Sequence, residues 1–254
     1  MDYDRPVPPD ELRRISKLFG ALYLITFVTS IPALWLYQPV LKDPAGYIAG
    51  AGHDNRILFG AFLELLLIIA NLGTAVVVFP LLKRVSEVFA IGYVAARIME
   101  STFILVGILT MVAVVTLQRN PSAGTAATLG SLAYTLAAIK DWTFLLGPGF
   151  VVGIGNGLLL GYMMYRSELV PRWMATLGLI GGPLIVISGT AMLFGLAQTG
   201  GPVAGLATII EAVWELLLGI YPLIWGFNAA APIVAGRRAR SVDHPHGTPA
   251  VAPT

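Results

Sequence analysis

The chain has 254 residues, of which 56% are hydrophobic and 12% are charged, with a formal net charge of +2 and no cysteine. Soluble domains carry about a quarter charged residues, so the composition excludes an ordinary soluble domain and indicates a membrane protein. The small net charge gives no basic surface for a nucleic-acid partner, and the lack of cysteine excludes disulfides and thiolate chemistry.

Six apolar runs are each long enough to cross a bilayer, because roughly 18 or more apolar residues span its hydrocarbon core. They are 18–37, 57–82, 88–117, 142–165, 173–197 and 203–227. None shows the period-two alternation of a half-buried strand. We therefore predict an all-α polytopic membrane protein built as a bundle of six transmembrane helices, with the lipid bilayer as its first partner.

The runs divide the chain into three parts. Residues 1–17 are predicted to be a cytoplasmic N-terminal segment, and no small-residue cleavage site follows them, so the first run is expected to stay as a span. Residues 18–230 form the six-helix transmembrane domain. Residues 231–254 are basic and proline-rich and are predicted to be a disordered cytoplasmic tail.

Lysine and arginine are distributed unevenly between the two sides of the predicted bundle. One side holds eleven of them, namely Arg5, Arg13, Arg14, Lys17, Lys83, Arg84, Arg166, Arg172, Arg237, Arg238 and Arg240. The other side holds Lys42, Arg56, Arg119 and Lys140. Because the richer side of a membrane protein faces the cytoplasm, we predict a multi-pass protein of the cytoplasmic membrane with both termini in the cytoplasm.

The connection between the third and fourth spans places Leu129, Leu132, Leu136 and Ile139 at helical spacing. This pattern predicts an extra surface helix, which serves either as a simple cover or as a lid over a cavity. Farther along, the fourth to sixth spans contain GPGF, GGP and IYP. Proline interrupts helical hydrogen bonding, and such breaks often border binding sites in transporters.

Polar residues inside the spans are the candidates for function. They are Glu64, Asn71, Arg97, Glu100, Asn156, Glu211 and Glu215. A charge that faces lipid costs about 2.5–3.5 kcal/mol on insertion scales, so we expect these side chains to face one another or water. Arg97 is expected to pair with Glu100, three positions away on the same helix face.

Glu211 and Glu215 lie one helical turn apart in the sixth span. Two carboxylates at that spacing repel each other if both are ionised, so the pair is expected to hold a proton near neutral pH. A protonated carboxyl group in a half-apolar pocket can donate a proton to a ligand. We therefore take Glu211, Glu215 and Glu64 as the catalytic candidates.

The remaining candidates are assigned to ligand binding. They are Arg97, Glu100, Asn71, Asn156, Trp142, Trp214 and Tyr221, the aromatic members because their rings can stabilise a cation. A metal site needs about three or four ligands, and the spans contain neither histidine nor cysteine. No metal or other cofactor is predicted.

Three segments together resemble a known family. They are AARIMES at 95–101, the segment 141–183, and EAVWELLLGIYPLIWGF at 211–227. The combination resembles bacterial integral membrane proteins of domain-of-unknown-function family 4386 over nearly the whole chain except the termini. The resemblance implies a six-helix membrane bundle and brings no established activity, substrate or catalytic residue.

Three functions remain open at this point. The first is binding of a lipophilic small molecule in an intramembrane polar cavity, with acid–base chemistry on an isoprenoid-like lipid. The second is a proton-coupled transporter or exporter, for which six spans suggest a homodimer, and in which the glutamates carry protons. The third is a non-catalytic membrane partner or assembly protein. A cavity larger than a few waters favours the first two, and a dry, paired cluster favours the third.

Overall fold

The computed structural model describes residues 5–50, 54–197 and 201–236, with the side chain of residue 203 left out. No strand occurs in this part of the chain. Six helices are long and apolar enough to cross a membrane, namely Pro9–Leu36, Asp54–Leu82, Glu87–Arg119, Ala126–Ser167, Arg172–Leu193 and Ala204–Ile224. The predicted all-helical membrane bundle with six spans is thus confirmed.

The helices are labelled in chain order. They are α1 (Pro9–Leu36), α2 (Gln38–Lys42), α3 (Pro44–Ala49), α4 (Asp54–Leu82), α5 (Glu87–Arg119), α6 (Ala126–Phe144), α7 (Gly161–Ser167), α8 (Arg172–Leu193) and α9 (Pro202–Ile224). A 3₁₀ turn, Pro121–Ala123, precedes α6. Two π-helical segments, Leu145–Val151 and Gly153–Leu160, join α6 to α7. Together, α6, the two π-helical segments and α7 form the fourth span.

The six spans pack as a closed ring. α1 packs on α4, α4 on α5, α5 on the fourth span, the fourth span on α8, α8 on α9, and α9 back on α1. Many large apolar side chains on the outside of the ring are exposed, such as Val28, Ile69, Leu109 and Ile187. In a bilayer these side chains contact lipid, so their exposure is what a membrane-spanning ring requires.

The helix predicted between spans three and four is present as α6, and it continues without a break into the fourth span. It begins where the Thr125 hydroxyl accepts a hydrogen bond from the Thr128 N–H. Leu129 is buried, whereas Leu132 and Ile139 are exposed. The whole fourth span, Ala126–Ser167, is about 60 Å long at the usual helical rise. It therefore extends well past a hydrocarbon core of about 30 Å.

The π-helical segments lie where the sequence places GPGF and IGNG. Pro148 has no N–H to donate, which removes one helical hydrogen bond. Gly153 and Gly157 lie directly against Gly182 of α8, close enough that a Cβ on either residue would meet its backbone. π-Helix is rare and occurs mostly as single-turn bulges, which are frequently found at functional sites. Small side chains thus let two helices approach closely beside this irregular backbone.

Both described ends of the chain meet at one face of the bundle. The Val7 N–H donates to the Val234 carbonyl at 2.9 Å. Arg84, between α4 and α5, donates from Nη1 to the carbonyls of Arg5 and Ile233, at 2.8 and 3.1 Å. The rest of the predicted tail, from residue 237 onward, lies outside the described residues.

Candidate functional site

A cavity of about 310 Å³ lies inside the ring of helices, lined by α1, α4, α5, α9 and the fourth span. Liquid water occupies about 30 Å³ per molecule, so the cavity exceeds the space of a few waters. Buried apolar clusters lie on both sides of it, one containing Phe19 and Trp214 and the other containing Ile57 and Met111. The polar groups of the cavity thus lie between two packed apolar clusters, while Ile31 and Leu34 of its lining are exposed on the outside of the ring.

One wall of the cavity carries an ion pair between two spans. The Lys140 ammonium on α6 lies 2.6 Å from Oε1 and 2.8 Å from Oε2 of Glu64 on α4. The Tyr37 hydroxyl donates to the same carboxylate at 3.0 Å, and the Tyr37 ring lies 4.9 Å from the Lys140 ammonium. Glu64 therefore has three charge-neutralising or hydrogen-bonding contacts.

A second ion pair lies within α5, the helix next to α4 in the ring. Arg97 Nη1 donates to Glu100 Oε2 at 2.8 Å, which confirms the partner expected for the arginine. The other oxygen of Glu100 accepts from Asn71 Nδ2 at 2.9 Å. Arg97 also donates from Nε to the Tyr93 hydroxyl at 3.3 Å, and its guanidinium lies 5.1 Å from the centre of the Tyr23 ring. The arginine is thus held by a carboxylate and two aromatic rings.

Glu215 on α9 faces the same cavity and forms no ion pair with a cation among the described residues. Its Oε1 accepts a hydrogen bond from Asn156 Nδ2 in the second π-helical segment. Trp214 Nε1 donates to the Asn156 backbone carbonyl at 3.1 Å, while Asn156 Oδ1 has no hydrogen-bond partner among the described residues. Asn156 therefore positions Glu215 and is itself fixed by Trp214.

Glu211, one turn before Glu215, lies outside the residues that line the cavity. It is 3% exposed and packs against Gly181 of α8, where a Cβ would approach Glu211 Oε2 to 2.5 Å. Neither carboxyl oxygen has a hydrogen-bond partner in the part of the chain that the structure describes. An ionised carboxylate buried without donors is costly, which favours the neutral acid at this position.

The structure thus brings together most of the polar residues singled out from the sequence. Those that line the cavity are Glu64, Asn71, Arg97, Glu100 and Glu215. Asn156 lies behind Glu215. The aromatic candidates lie elsewhere: Trp142 lines a neighbouring groove, Trp214 is fully buried in the apolar cluster, and Tyr221 lies in a separate surface depression with Trp225. The aromatic rings that line the cavity are those of Phe27 and Phe144.

Lys140 and Asp141 line the cavity but were not among the candidates from the sequence. Lys140 was placed among the basic residues outside the spans, whereas it is only 4% exposed. Its position at the end of a helical apolar pattern, Leu129 to Ile139, is the signal that could have placed it inside a helix. That pattern was predicted to be a separate surface helix, whereas it continues into the fourth span.

Acids exceed bases on the cavity wall. The ionisable lining residues are Glu64, Glu100, Lys140, Asp141, Arg97 and Glu215. Each base forms an ion pair with one glutamate, so Asp141 and Glu215 remain in excess. Within the described residues, no group of three His, Cys, Asp or Glu side chains is arranged to hold a metal ion. The site can exchange protons and donate or accept hydrogen bonds.

At the opposite face from the chain ends, a polar cluster joins Tyr47 of α3 to the first residue of α4 and the last residue of α5. The Tyr47 hydroxyl donates to Asp54 Oδ1 at 2.7 Å, and Arg119 Nε lies 2.7 Å from Asp54 Oδ2. Burial of the phenol and its bond to the carboxylate raise the pKa of Tyr47 above its usual value. The cluster holds α3 against the end of α5, beside α6.

Comparison with known proteins identifies one family. The family described as "Domain of unknown function (DUF4386)" matches residues 18–226, which is most of the chain. No curated protein and no solved structure gives a significant match.

Proposed function

Since the chain belongs to the DUF4386 family of unknown function, whose name assigns no reaction, we propose a function from the cavity alone: binding of a lipophilic small molecule within the membrane. The polar group of that molecule occupies the cavity between the two ion pairs and Glu215. The observation that carries the proposal is a partly open space of about 310 Å³ inside the ring, in which paired charges share the walls with apolar side chains. Its volume falls at the lower end of the range for small-molecule pockets.

Glu215 is the residue to which we assign acid–base chemistry. It lies at the cavity wall, its carboxyl group is oriented by Asn156, and it forms no ion pair with a described residue. A carboxylic acid held in this way can protonate a double bond of an isoprenoid-like lipid, and the resulting carboxylate can take a proton back from a neighbouring carbon. Phe27 and Phe144 line the same space and can stabilise positive charge.

The test combines ligand detection with a matched pair of substitutions on α9. Ala212 lines the cavity, whereas its neighbour Val213 is 42% exposed on the outside of the bundle. The protein is purified in lipid nanodiscs, and the molecules that co-purify are identified by mass spectrometry. Ala212→Phe should lose a bound lipophilic molecule that both the wild type and Val213→Phe retain.

A second substitution separates binding from chemistry. Glu215→Gln keeps the shape and a hydrogen-bond donor but cannot release a proton, so it should retain the ligand and lose any turnover. Equal ligand retention by Ala212→Phe and Val213→Phe would show that the ligand lies elsewhere. A wild-type protein that carries no lipophilic molecule, even after incubation with bacterial lipid extract, would favour the assembly role.

The excess of acids supports proton-coupled transport as a second candidate. Asp141 and Glu215 line the cavity without an ion pair to a described residue, and Glu211 lies one turn before Glu215 on α9. Intramembrane carboxyl groups of this kind carry protons in transporters. In sealed vesicles, ligand-dependent acidification that disappears in Glu215→Gln would favour transport over an enzymatic reaction.

We also propose that the face holding both described chain ends is cytoplasmic. Lys83, Arg84, Arg166 and Arg172 lie at this face, beside the start of α1 and the end of α9. The support is the same asymmetry of lysine and arginine that orients other polytopic membrane proteins.

A further inference from the structure

A second, larger space lies on the lipid-facing side of the fourth span. It is a groove of about 830 Å³ between the junction of α6 with the first π-helical segment, α8, and the start of α9. Its walls are mainly apolar and include Trp142, Leu145, Ile185 and Met192. Trp142 and Ile209 are 46% and 62% exposed on the perimeter of the ring, so the groove is open toward the acyl chains of a bilayer.

The groove lies next to the central cavity. Asp141, Phe144 and Thr208 line both spaces. The three residues come from α6 and α9, and a passage between the two spaces would run between these helices. A molecule with a tail in the groove and a head in the cavity would therefore pass these three side chains.

The charges of the cavity select the head group. Arg97 and Lys140 are each paired with a glutamate at 2.8 Å or less. An anionic head group could therefore bind either lining cation only if an existing ion pair were broken. Asp141, at the passage, has no hydrogen bond or ion pair from its carboxyl group among the described residues, and Glu215 is bonded only to an amide. The cavity therefore favours a cationic head group that donates hydrogen bonds.

We propose that the ligand is a lipophilic amine, with its apolar chain in the groove and its ammonium group in the cavity beside Asp141 and Glu215. The amine enters sideways from the bilayer, past Phe144 and Thr208. This inference rests on the proposed function, because it specifies the ligand class and the entry route of the same site. It fits the transport candidate more directly than the enzymatic one, because an ammonium group pairs with the ionised form of Glu215, whereas protonation of a double bond needs its neutral form.

The head-group part is tested with farnesylamine, farnesol and farnesoic acid, which share one isoprenoid chain and differ in the polar group. Binding to the purified protein in nanodiscs of one lipid composition is measured for the wild type and for Asp141→Asn and Asp141→Glu. Hydrogen bonds to charged groups are strong enough that Asp141→Asn should weaken farnesylamine binding by about tenfold to a hundredfold. Asp141→Glu should restore it, and farnesol binding should change little in either variant.

The entry route is tested with a substitution that fills the groove. Gly205 lines the groove, and a Cβ at this position would meet no atom within 4 Å. Gly205→Phe therefore fits without a clash at its Cβ and should slow or abolish binding of all probes that bind the wild type. Leu206→Phe, at the adjacent position and 59% exposed, is the matched control and should bind them as the wild type does.

The outcomes separate this inference from the proposed function. If farnesoic acid binds as tightly as farnesylamine, or if Asp141→Asn leaves farnesylamine binding unchanged, the assignment of an amine is wrong while a ligand site remains. If Gly205→Phe binds and exchanges the probes like Leu206→Phe, the lateral route is wrong. If none of the three probes competes with the molecule that Ala212→Phe displaces, the ligand class is wrong and the cavity function stands. If Ala212→Phe retains the co-purified molecule as Val213→Phe does, the proposed function itself is contradicted.

Discussion

Lys140 Nζ on α6 lies 2.6 Å from Glu64 Oε1 on α4, although the two residues are 76 positions apart in the chain. Both side chains are almost fully buried. The pair joins the second and fourth spans, which the ring otherwise separates by α5. It is therefore a direct link across the cavity rather than between neighbouring helices.

We expect the effects of Lys140 and Glu64 on stability to be strongly coupled. Lys140→Met leaves the Glu64 charge buried without its cation, and breaking such a pair costs roughly 3–5 kcal/mol in soluble cores. The double variant Lys140→Met with Glu64→Leu removes both charges and should lose less stability than the single variant. Unfolding in detergent, followed by circular dichroism, measures the difference. Lys42→Met, at an exposed lysine, is the control, and equal losses in the single and double variants would contradict the coupling.

The Arg97–Glu100 pair gives a second double-mutant test. Arg97→Ala removes the closest cation from Glu100 and leaves Asn71 as its remaining donor. The single variant should therefore be less stable than Arg97→Ala with Glu100→Ala, because the double variant leaves no buried carboxyl group without its arginine. Melting temperatures in one detergent provide the comparison. Strictly additive losses would show that the two side chains do not act as a pair.

The close approach of the fourth span to α8 predicts a steric effect. A Cβ on Gly157 would overlap the backbone of Gly182, whereas a Cβ on Gly205 would meet nothing within 4 Å. Overpacking typically costs about 1–3 kcal/mol, so Gly157→Ala should lower the free energy of unfolding by that order. Gly205→Ala should leave it unchanged or raise it slightly, since alanine favours helix over glycine. An equal loss of unfolding free energy in both variants would show that the contact with Gly182 is not its cause.

The unpartnered carboxyl group of Glu211 predicts a spectroscopic signal. Because neither oxygen has a hydrogen-bond donor among the described residues, we expect the group to be neutral near pH 7. Infrared spectra of the protein in lipid should contain a protonated carboxyl band that is absent from Glu211→Gln. Glu87→Gln, at an exposed glutamate, should leave the band unchanged. Identical spectra for the wild type and Glu211→Gln would show that Glu211 is ionised.

The proposed orientation predicts which positions can be labelled from outside. The chain contains no cysteine, so a single introduced thiol reports one position. Ser122→Cys, in the exposed turn between α5 and α6, should react with a membrane-impermeant reagent in intact cells. Glu87→Cys, at the start of α5, should react only after the cells are opened. The reverse pattern would place the chain ends outside the cytoplasm.

The spans and one ion pair could be predicted from the sequence because both depend on local spacing. A long apolar run defines a span regardless of its neighbours, and residues three apart on a helix share a face. The Arg97–Glu100 pair follows from that spacing alone. By contrast, Asn71 and Glu64 lie seven positions apart in α4, a spacing that gives them a common helix face, yet Asn71 bonds Glu100 while Glu64 bonds Lys140. The partners depend on the order of helices around the ring, which no local pattern contains.

The aromatic candidates could not be placed for a related reason. Helical spacing assumes a regular α-helix, but the fourth span contains fifteen π-helical residues between Leu145 and Leu160. Each wider turn rotates the following residues relative to those before, so the direction of a side chain such as Asn156 cannot be obtained from Trp142 by counting. Trp214 was assigned to a ligand, whereas its indole N–H bonds the Asn156 carbonyl. Tryptophan in a span serves packing as readily as recognition.

The contact between α1 and α9 has a consequence for how the protein is made. Gly20 of α1 lies against Gly219 of α9, and the Phe227 N–H donates to the Ser16 hydroxyl at 2.9 Å. During translation from the N-terminus, the first span enters the membrane long before the last one is synthesised. Until then, the flank of α1 that later receives α9 has only lipid or the insertion machinery beside it. A ribosome that stalls before residue 202 would leave an open arc of helices, with the cavity exposed to the bilayer on its unfinished side.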